Sequence, residues 1–377
     1  MKGIIILSII IIIISIILST EYKHLAKTLF QLLRYHGTSH EDNKIFPSVY
    51  MEGNSNISKI ERELIKYDKS KYDFSKHSIQ SFLVLHKNKI IIEEYYNNHN
   101  SKSKFNLFSA TKTIISLGIG ILQDRKLISI NDKIKKYLPF LPLKEETTIK
   151  NILEMSSGYS LPQFSFMIDM GFDYFAYNLT DRLKNYKVSY NPGEYFMYKN
   201  LNTQILGLLI EKVSGKKIND FIYENIYKFI GREKAQWSTD RVGNIKSFCC
   251  LYLNNEDFLK FGKLFLDKGK VGNQVIISEK YLNDIFVTND KLISILENGE
   301  KNNFYGLHAW TINTHDGYKV NYFSGLLGQY NIIIEDLDIL ISTCGNDKKK
   351  GTRKNFEKIV LELVNNVRNA IKDSEKK

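Results

Sequence analysis

The spacing of apolar positions along this chain changes several times, and each change predicts a different kind of element. The opening stretch has no period at all: from Gly3 to Leu18 isoleucine and leucine run on without a charge. A run of about 16 residues that is apolar on every side suits a membrane anchor or signal segment better than a core helix, which would carry a polar face. Residues 1–20 are therefore expected to be an N-terminal transmembrane anchor, uncleaved for want of a small-residue cleavage site after Leu18, with a cleaved signal segment as the alternative. Residues 21–75 are polar and irregular, interrupted around Gly37 and Pro47, and predict a connecting arm. From residue 76 regular patterns begin. Two β-prone apolar runs, 81–85 and 90–92, flank the polar residues 86–89 and predict a hairpin. Helical spacing starts near Ser109 and runs to Leu122. It returns over 201–213, where Ser214-Gly215 makes a C-cap, and over 257–266. Strand patterns reappear at 319–323, 330–334 and 339–343, before a last helix over 355–371. Strands at both ends around a helix-rich middle predict an α+β domain over 76–377, with one antiparallel sheet formed from both chain ends and flanked by helices.

Composition changes this picture little. At 377 residues and 43% hydrophobic the chain can bury a large core. Its net charge of +12 is spread among Asn, Ile, Asp and Glu, the run Lys348-Lys349-Lys350 is short, and none of the nucleic-acid motif spacings accompanies it. A nucleic-acid partner is not expected; attraction to an anionic membrane surface is compatible with the charge. Lys23, Lys27 and Arg34 outnumber Lys2 around the apolar run, which by the positive-inside rule would put the domain in the cytosol. Cys249, Cys250 and Cys344 are too few for a disulfide framework, and adjacent cysteines seldom pair, so all three are expected as small buried hydrophobes. With no His-Glu-x-x-His in the sequence, no metal or other cofactor is expected.

Candidate chemistry centres on Ser-x-x-Lys. Four copies occur, at Ser101, Ser109, Ser214 and Ser374, so context must choose among them. Ser101 lies in a polar turn, Ser214 at a helix end and Ser374 at the terminus. Ser109 alone stands where an apolar lead-in, Phe105-Asn106-Leu107-Phe108, meets a buried helix. Residues i and i+3 share a helix face, so Lys112 would lie beside the Ser109 hydroxyl. An amine whose pKa is lowered by burial can take the hydroxyl proton. A Ser-His-Asp arrangement is poorly served: His315-Asp316 sits in a predicted turn and no Gly-x-Ser-x-Gly elbow occurs.

Several segments follow one another in a familiar order. Ser109-Ala110-Thr111-Lys112 precedes Leu127-Ile128-Ser129-Ile130-Asn131-Asp132-Lys133-Ile134 and Thr148-Ile149-Lys150-Asn151-Ile152-Leu153-Glu154-Met155-Ser156-Ser157-Gly158. Asn191-Pro192-Gly193-Glu194-Tyr195-Phe196-Met197-Tyr198-Lys199-Asn200 and Leu206 to Gly215 follow. This succession, over roughly 76–370, resembles the class C β-lactamase-like serine hydrolases, which share their fold with penicillin-binding proteins. The resemblance implies Ser109 as nucleophile, Lys112 and Tyr198 as the groups that move its proton, and Asn200 as a substrate-binding amide. A phenol of ordinary pKa near 10 would serve as a base only beside a cation such as Lys112. In the third element, Tyr322 to Gln329, the Lys or His usual in penicillin-processing members is absent. Its Gly-x-x-Gly-Gln form is similar to the esterase and 6-aminohexanoate-oligomer-hydrolase branch. There the strand would supply a backbone oxyanion donor, assigned to Leu326 beside Gly325, and Trp237 would line the substrate pocket. The implied activity is hydrolysis of an ester or amide in a small molecule or peptide through an acyl-enzyme. The alternatives are a β-lactamase or D,D-peptidase acting on cell-wall peptides, and a catalytically silent peptide-binding module. Family habit, against the charge rule, implies an extracytoplasmic domain anchored to the membrane by its N-terminus.

Overall fold

The computed structural model describes residues 40–161, 166–295, 299–348 and 352–376. The predicted anchor, 1–20, lies outside them; among the described residues no helix is long and apolar enough to cross a membrane. In chain order the elements that frame the site are β1 (Ser48–Met51), β2 (Ile79–His86), β3 (Lys89–Tyr95), β4 (Phe105–Asn106), α1 (Thr111–Asp124), α2 (Asn200–Ser214), β5 (Ala235–Ser238) and β6 (Leu251–Leu253). They continue with α3 (Asn255–Leu266), β7 (Trp310–Asn313), β8 (Lys319–Gly325), β9 (Gln329–Ile334), β10 (Ile339–Gly345) and α4 (Arg353–Glu375).

One antiparallel six-stranded sheet, in the order β7-β8-β9-β10-β2-β3, joins the two ends of the domain, as expected of the α+β plan. Alternation along β2 shows why. Phe82 and Val84 face the core layer under α4, with Val360, Val364 and Val367, while Leu83 and Leu85 face the larger core around α1. The hairpin turn places Lys87 and Asn88 at φ 50° and 65°, the left-handed pair that suits the twist of a two-residue loop. Helix α1 is buried from Thr111 to Leu122. It stays close to its neighbours through Gly120, where a Cβ would lie 2.3 Å from the Tyr281 ring.

A second antiparallel sheet, β1-β5-β6-β4, was not expected. Its strands have two to four residues, too few to show a period. It also revises the predicted connecting arm. Over 40–75 that arm is part of the domain. Strand β1 pairs with β5, Asp42 and Phe46 are buried, and Arg62 bonds to Glu93 at 3.1 Å and Glu256 at 2.6 Å. The cysteine expectation needs one correction as well. Cys344 is a free buried thiol, but Cys249 and Cys250 are joined in a disulfide.

Candidate active site

The segment that delivers Ser109 is built by β4 and a single 3-10 turn, Phe108–Ala110, with α1 starting only at Thr111. The helix predicted to begin at Ser109 therefore begins two residues later. Phe108 has φ 45°, a region a bulky residue rarely adopts. It is held there by burial and by its N–H donating to Asn106 Oδ1 at 2.9 Å. Asn106 is fixed in turn by donating to the Tyr252 hydroxyl at 3.1 Å. The tight turn leaves Ser109 partly exposed between buried neighbours, on the rim of the core.

Lys112 lies one turn on and is 1% exposed. Its Nζ donates to Ser109 Oγ, Asn200 Oδ1 and the Phe248 carbonyl, each at 3.0 Å. Burial pushes this amine down to about 7, with the Asp173 carboxylate pulling the other way. A buried ammonium is costly, so near neutral pH the group exists in both forms and can accept a proton. Tyr198 presents its ring face to the same Nζ, 5.0 Å from the centroid, and its hydroxyl interacts with Ser109. Burial raises the Tyr198 pKa above that of a free phenol, with the Ser109 hydrogen bond acting against the rise. Burial outweighs the Ser109 hydrogen bond, so this phenol is harder to ionise than a free one even with the lysine beside it. Trp310 stacks on the Tyr198 ring at 5.8 Å and meets Tyr305 edge-on at 4.7 Å, which forms an aromatic wall.

The third segment closes the site from the sheet. Strand β8 pairs with β7 as far as Tyr322, opposite Trp310, and this ladder stops there, so that among the described residues Phe323–Gly325 have no partner strand on that edge. At Gly325 a Cβ would lie 2.1 Å from the Leu107 carbonyl oxygen, so the strand approaches the nucleophile turn with no room for a side chain. Leu326 follows in the three-residue hairpin loop, exposed, with Leu327 and Gly328 at φ 69° and 93°. Gln329 fixes this loop by donating to Leu326 O at 3.3 Å and Gly345 O at 2.8 Å. Gly325→Val is expected to cost about 1–3 kcal/mol, read as a lower urea midpoint, with the half-exposed Ser324→Ala changing it little. Equal midpoints for the two variants would refute the close approach.

Of the residues singled out in the sequence, the structure brings Ser109, Lys112, Tyr198 and Asn200 together and sets Gly325 against the nucleophile turn, with Leu326 next to it in the hairpin loop. Trp237 is not among them. It is 0% exposed, and its indole N–H is shared between the Lys246 and Cys249 carbonyls at 3.0 Å each. It is a core residue, and the pocket-lining place expected for it is corrected accordingly. His315 is exposed, and Asp316 pairs with Arg368 at the surface. Among the described residues no group of three or more His, Cys, Asp or Glu side chains could hold a metal ion. Two participants had escaped the sequence reading. The Phe248 carbonyl is a backbone group with no residue signature. Asp173, buried on the helix Phe166–Tyr174, lies in a segment without a motif.

Residues 78–244 match the family model described as Beta-lactamase. Penicillin-binding protein 4* of Bacillus subtilis (strain 168) is 32% identical over 142 residues, which are 36% of this chain and 31% of that protein. The chain thus spans about a third of the length of that curated relative. Among solved structures, a candidate 6-aminohexanoate-dimer hydrolase from Bacillus anthracis superposes with a TM-score of 0.73 at 17% identity, covering 95% of this chain and 94% of that one. A D-stereospecific amidohydrolase from Streptomyces gives a TM-score of 0.58 at 14% identity, over 77% of this chain and 98% of that one. At such identities the structural likeness establishes the fold.

Proposed function

We propose, from the match of residues 78–244 to the Beta-lactamase family model, from the fold shared with the solved structures and from the site just described, that this chain is a serine hydrolase cleaving an ester or amide bond through an acyl-enzyme on Ser109. The observation that carries the reading is the 3.0 Å contact between Ser109 Oγ and a buried Lys112 amine whose pKa lies near 7. As Ser109 Oγ attacks the carbonyl carbon, its proton passes to neutral Lys112. The tetrahedral oxyanion is held by the N–H of Ser109 and the N–H of Leu326. The leaving alkoxide or amine takes a proton as the tetrahedral species collapses. Water then attacks the acyl carbon and releases the acid. Tyr198 stays a phenol throughout and relays a proton between Lys112 and the leaving group or water. Asn200, its Oδ1 occupied by Lys112, orients that amine first and reaches substrate through its amide NH2.

The third segment narrows the substrate. Tyr322 to Gln329 contains no cation, so a carboxylate beside the scissile bond would find no counter-charge there, and leaving it desolvated and unpaired is costly. Uncharged esters and amides fit better, the acyl side lying against Trp310 and Tyr198. The test is a fluorophosphonate probe followed by peptide mapping, together with rates on a short-chain nitrophenyl ester and on nitrocefin. We expect one adduct, on Ser109, and an ester kcat/KM at least 10-fold above that for nitrocefin. The reverse preference would favour the β-lactamase or D,D-peptidase alternative. No adduct would favour a silent binding module.

A further inference from the structure

Lys199 is the middle residue of the Tyr-x-Asn element, and it is buried, 2% exposed. Lysine is rarely found so deep unless paired. Its backbone is extended, φ −138° and ψ 130°, just ahead of α2. In an extended segment successive side chains leave on opposite sides. Tyr198 and Asn200 therefore face Ser109 and Lys112 together because Lys199 faces away.

What it faces is a built cluster. Lys199 Nζ lies 2.6 Å from Asp169 Oδ2, which also accepts from the Tyr186 hydroxyl at 2.8 Å. Arg182 bridges the two acids of the helix Phe166–Tyr174, with Nη2 2.9 Å from Asp169 Oδ1 and Nε 3.1 Å from Asp173 Oδ1. The Tyr186 ring lies 5.3 Å from Lys199 Nζ and 5.5 Å from the Arg182 guanidinium. Two cations thus answer two acids, of which Asp173, the more deeply buried, is pushed up to about 7 by burial against the pull of Arg182. Burial raises the Asp169 pKa, but the contacts with Lys199, Tyr186 and Arg182 outweigh it and hold the carboxyl below its usual value. In a partly dry setting such pairs fix geometry, and removing one member leaves its partner exposed to the full desolvation penalty.

We propose that Lys199 is a positioning residue: anchored from behind by Asp169, it sets the Tyr198 hydroxyl and the Asn200 amide against Ser109 and Lys112. The proposal rests on the reading of Ser109 as an acylated nucleophile. It assigns no contact with substrate to Lys199. A displacement of about 1 Å in a reacting group can lower a rate about 100-fold, and that is the scale at which this anchor acts.

The experiment measures the rate of Ser109 labelling by a fluorophosphonate against pH in the wild type and in Lys199→Met, Lys199→Arg, Asp169→Asn and the Lys199→Met/Asp169→Asn double variant. Thermal unfolding is followed alongside. Lys199→Met is expected to lower the high-pH plateau by about 100-fold without moving the midpoint set by Lys112. Lys199→Arg is expected to recover most of that loss, and the double variant to be no slower than Lys199→Met alone. A merely structural role would lower the melting temperature and leave the plateau per folded molecule unchanged. Wild-type labelling by folded Lys199→Met would overturn the proposal, as would Lys199→Arg as slow as Lys199→Met. Should Lys199→Met fail to fold, Asp169→Asn decides: a lowered plateau supports the anchor and an unchanged one overturns it. An unlabelled wild type would instead remove the hydrolase reading, and this inference with it.

Discussion

Ser109→Ala is expected to abolish fluorophosphonate labelling and to lower kcat on a nitrophenyl ester by about 10⁴–10⁶, while the protein stays folded. The size follows from what the hydroxyl does: without it there is no covalent intermediate, and the remaining rate is what oriented water and oxyanion donors supply, typically about 10³–10⁴ over solution. The fold should survive because Oγ serves the site and little else, contacting Lys112 Nζ and the Tyr198 hydroxyl. Lys112 keeps its bonds to Asn200 and Phe248, so the loss would report the nucleophile and not a displaced lysine. Circular dichroism and intact mass, run beside the turnover assay, check both halves. Turnover within 10-fold of wild type, by a folded and unlabelled variant, would remove Ser109 from the mechanism.

The parts of this molecule that could be read in its sequence share a physical property: their partners are close in the chain or their period is long enough to see. The hairpin of β2 and β3 has a two-residue turn, and α2 and α3 lie within two residues of the spans their apolar spacing gave. The nucleophile pair is separated by one helical turn, and Tyr198 and Asn200 flank the single extended residue Lys199 at the start of α2, so local geometry is enough to place each pair. What joins the two pairs is not local. Lys112 meets Asn200 across 88 residues and the Phe248 carbonyl across 136. The resemblance to a family stood in for that long-range geometry. Where neither local period nor resemblance applied, the sequence was silent or misleading. Strand β1 shows only four residues and gains its sense from β5, far along the chain. Trp237 looked like a pocket aromatic because nothing local reveals that both faces are covered. Lys199 looked like any lysine in a lysine-rich chain, since only the fold sets Asp169 behind it.

The second large effect concerns the base. If Lys112 takes the Ser109 proton, kcat/KM follows the fraction of neutral amine, and burial puts that midpoint at about 7. The rate should rise about tenfold between pH 6 and pH 8 and level off above, with no contribution from Tyr198, whose pKa is raised. Lys112→Arg is expected to lose about 10³-fold or more and to lose this limb altogether, because a guanidinium stays protonated and cannot act as the base. A stability measurement gives an independent reading of the same shift. In the unfolded chain lysine titrates near 10.4, so between about 7 and that value the unfolded state binds more protons than the folded one. Lys112 therefore makes the protein less stable below pH 7, and stability should rise with pH across that window. Lys112→Met should remove its own share of that slope and leave the shares of Lys246 and Lys260, which burial also holds below the ordinary lysine value, even as it removes activity. Asp173→Asn separates the two causes acting on the amine. Asp173 opposes the effect of burial on Lys112 to the extent that its own carboxyl, pushed up to about 7 by burial, is ionised, so neutralising it should move the activity midpoint to lower pH, through loss of the charge that favours the ammonium. A midpoint that moves up, or a limb that survives Lys112→Arg, would mean that the titrating group is not Lys112.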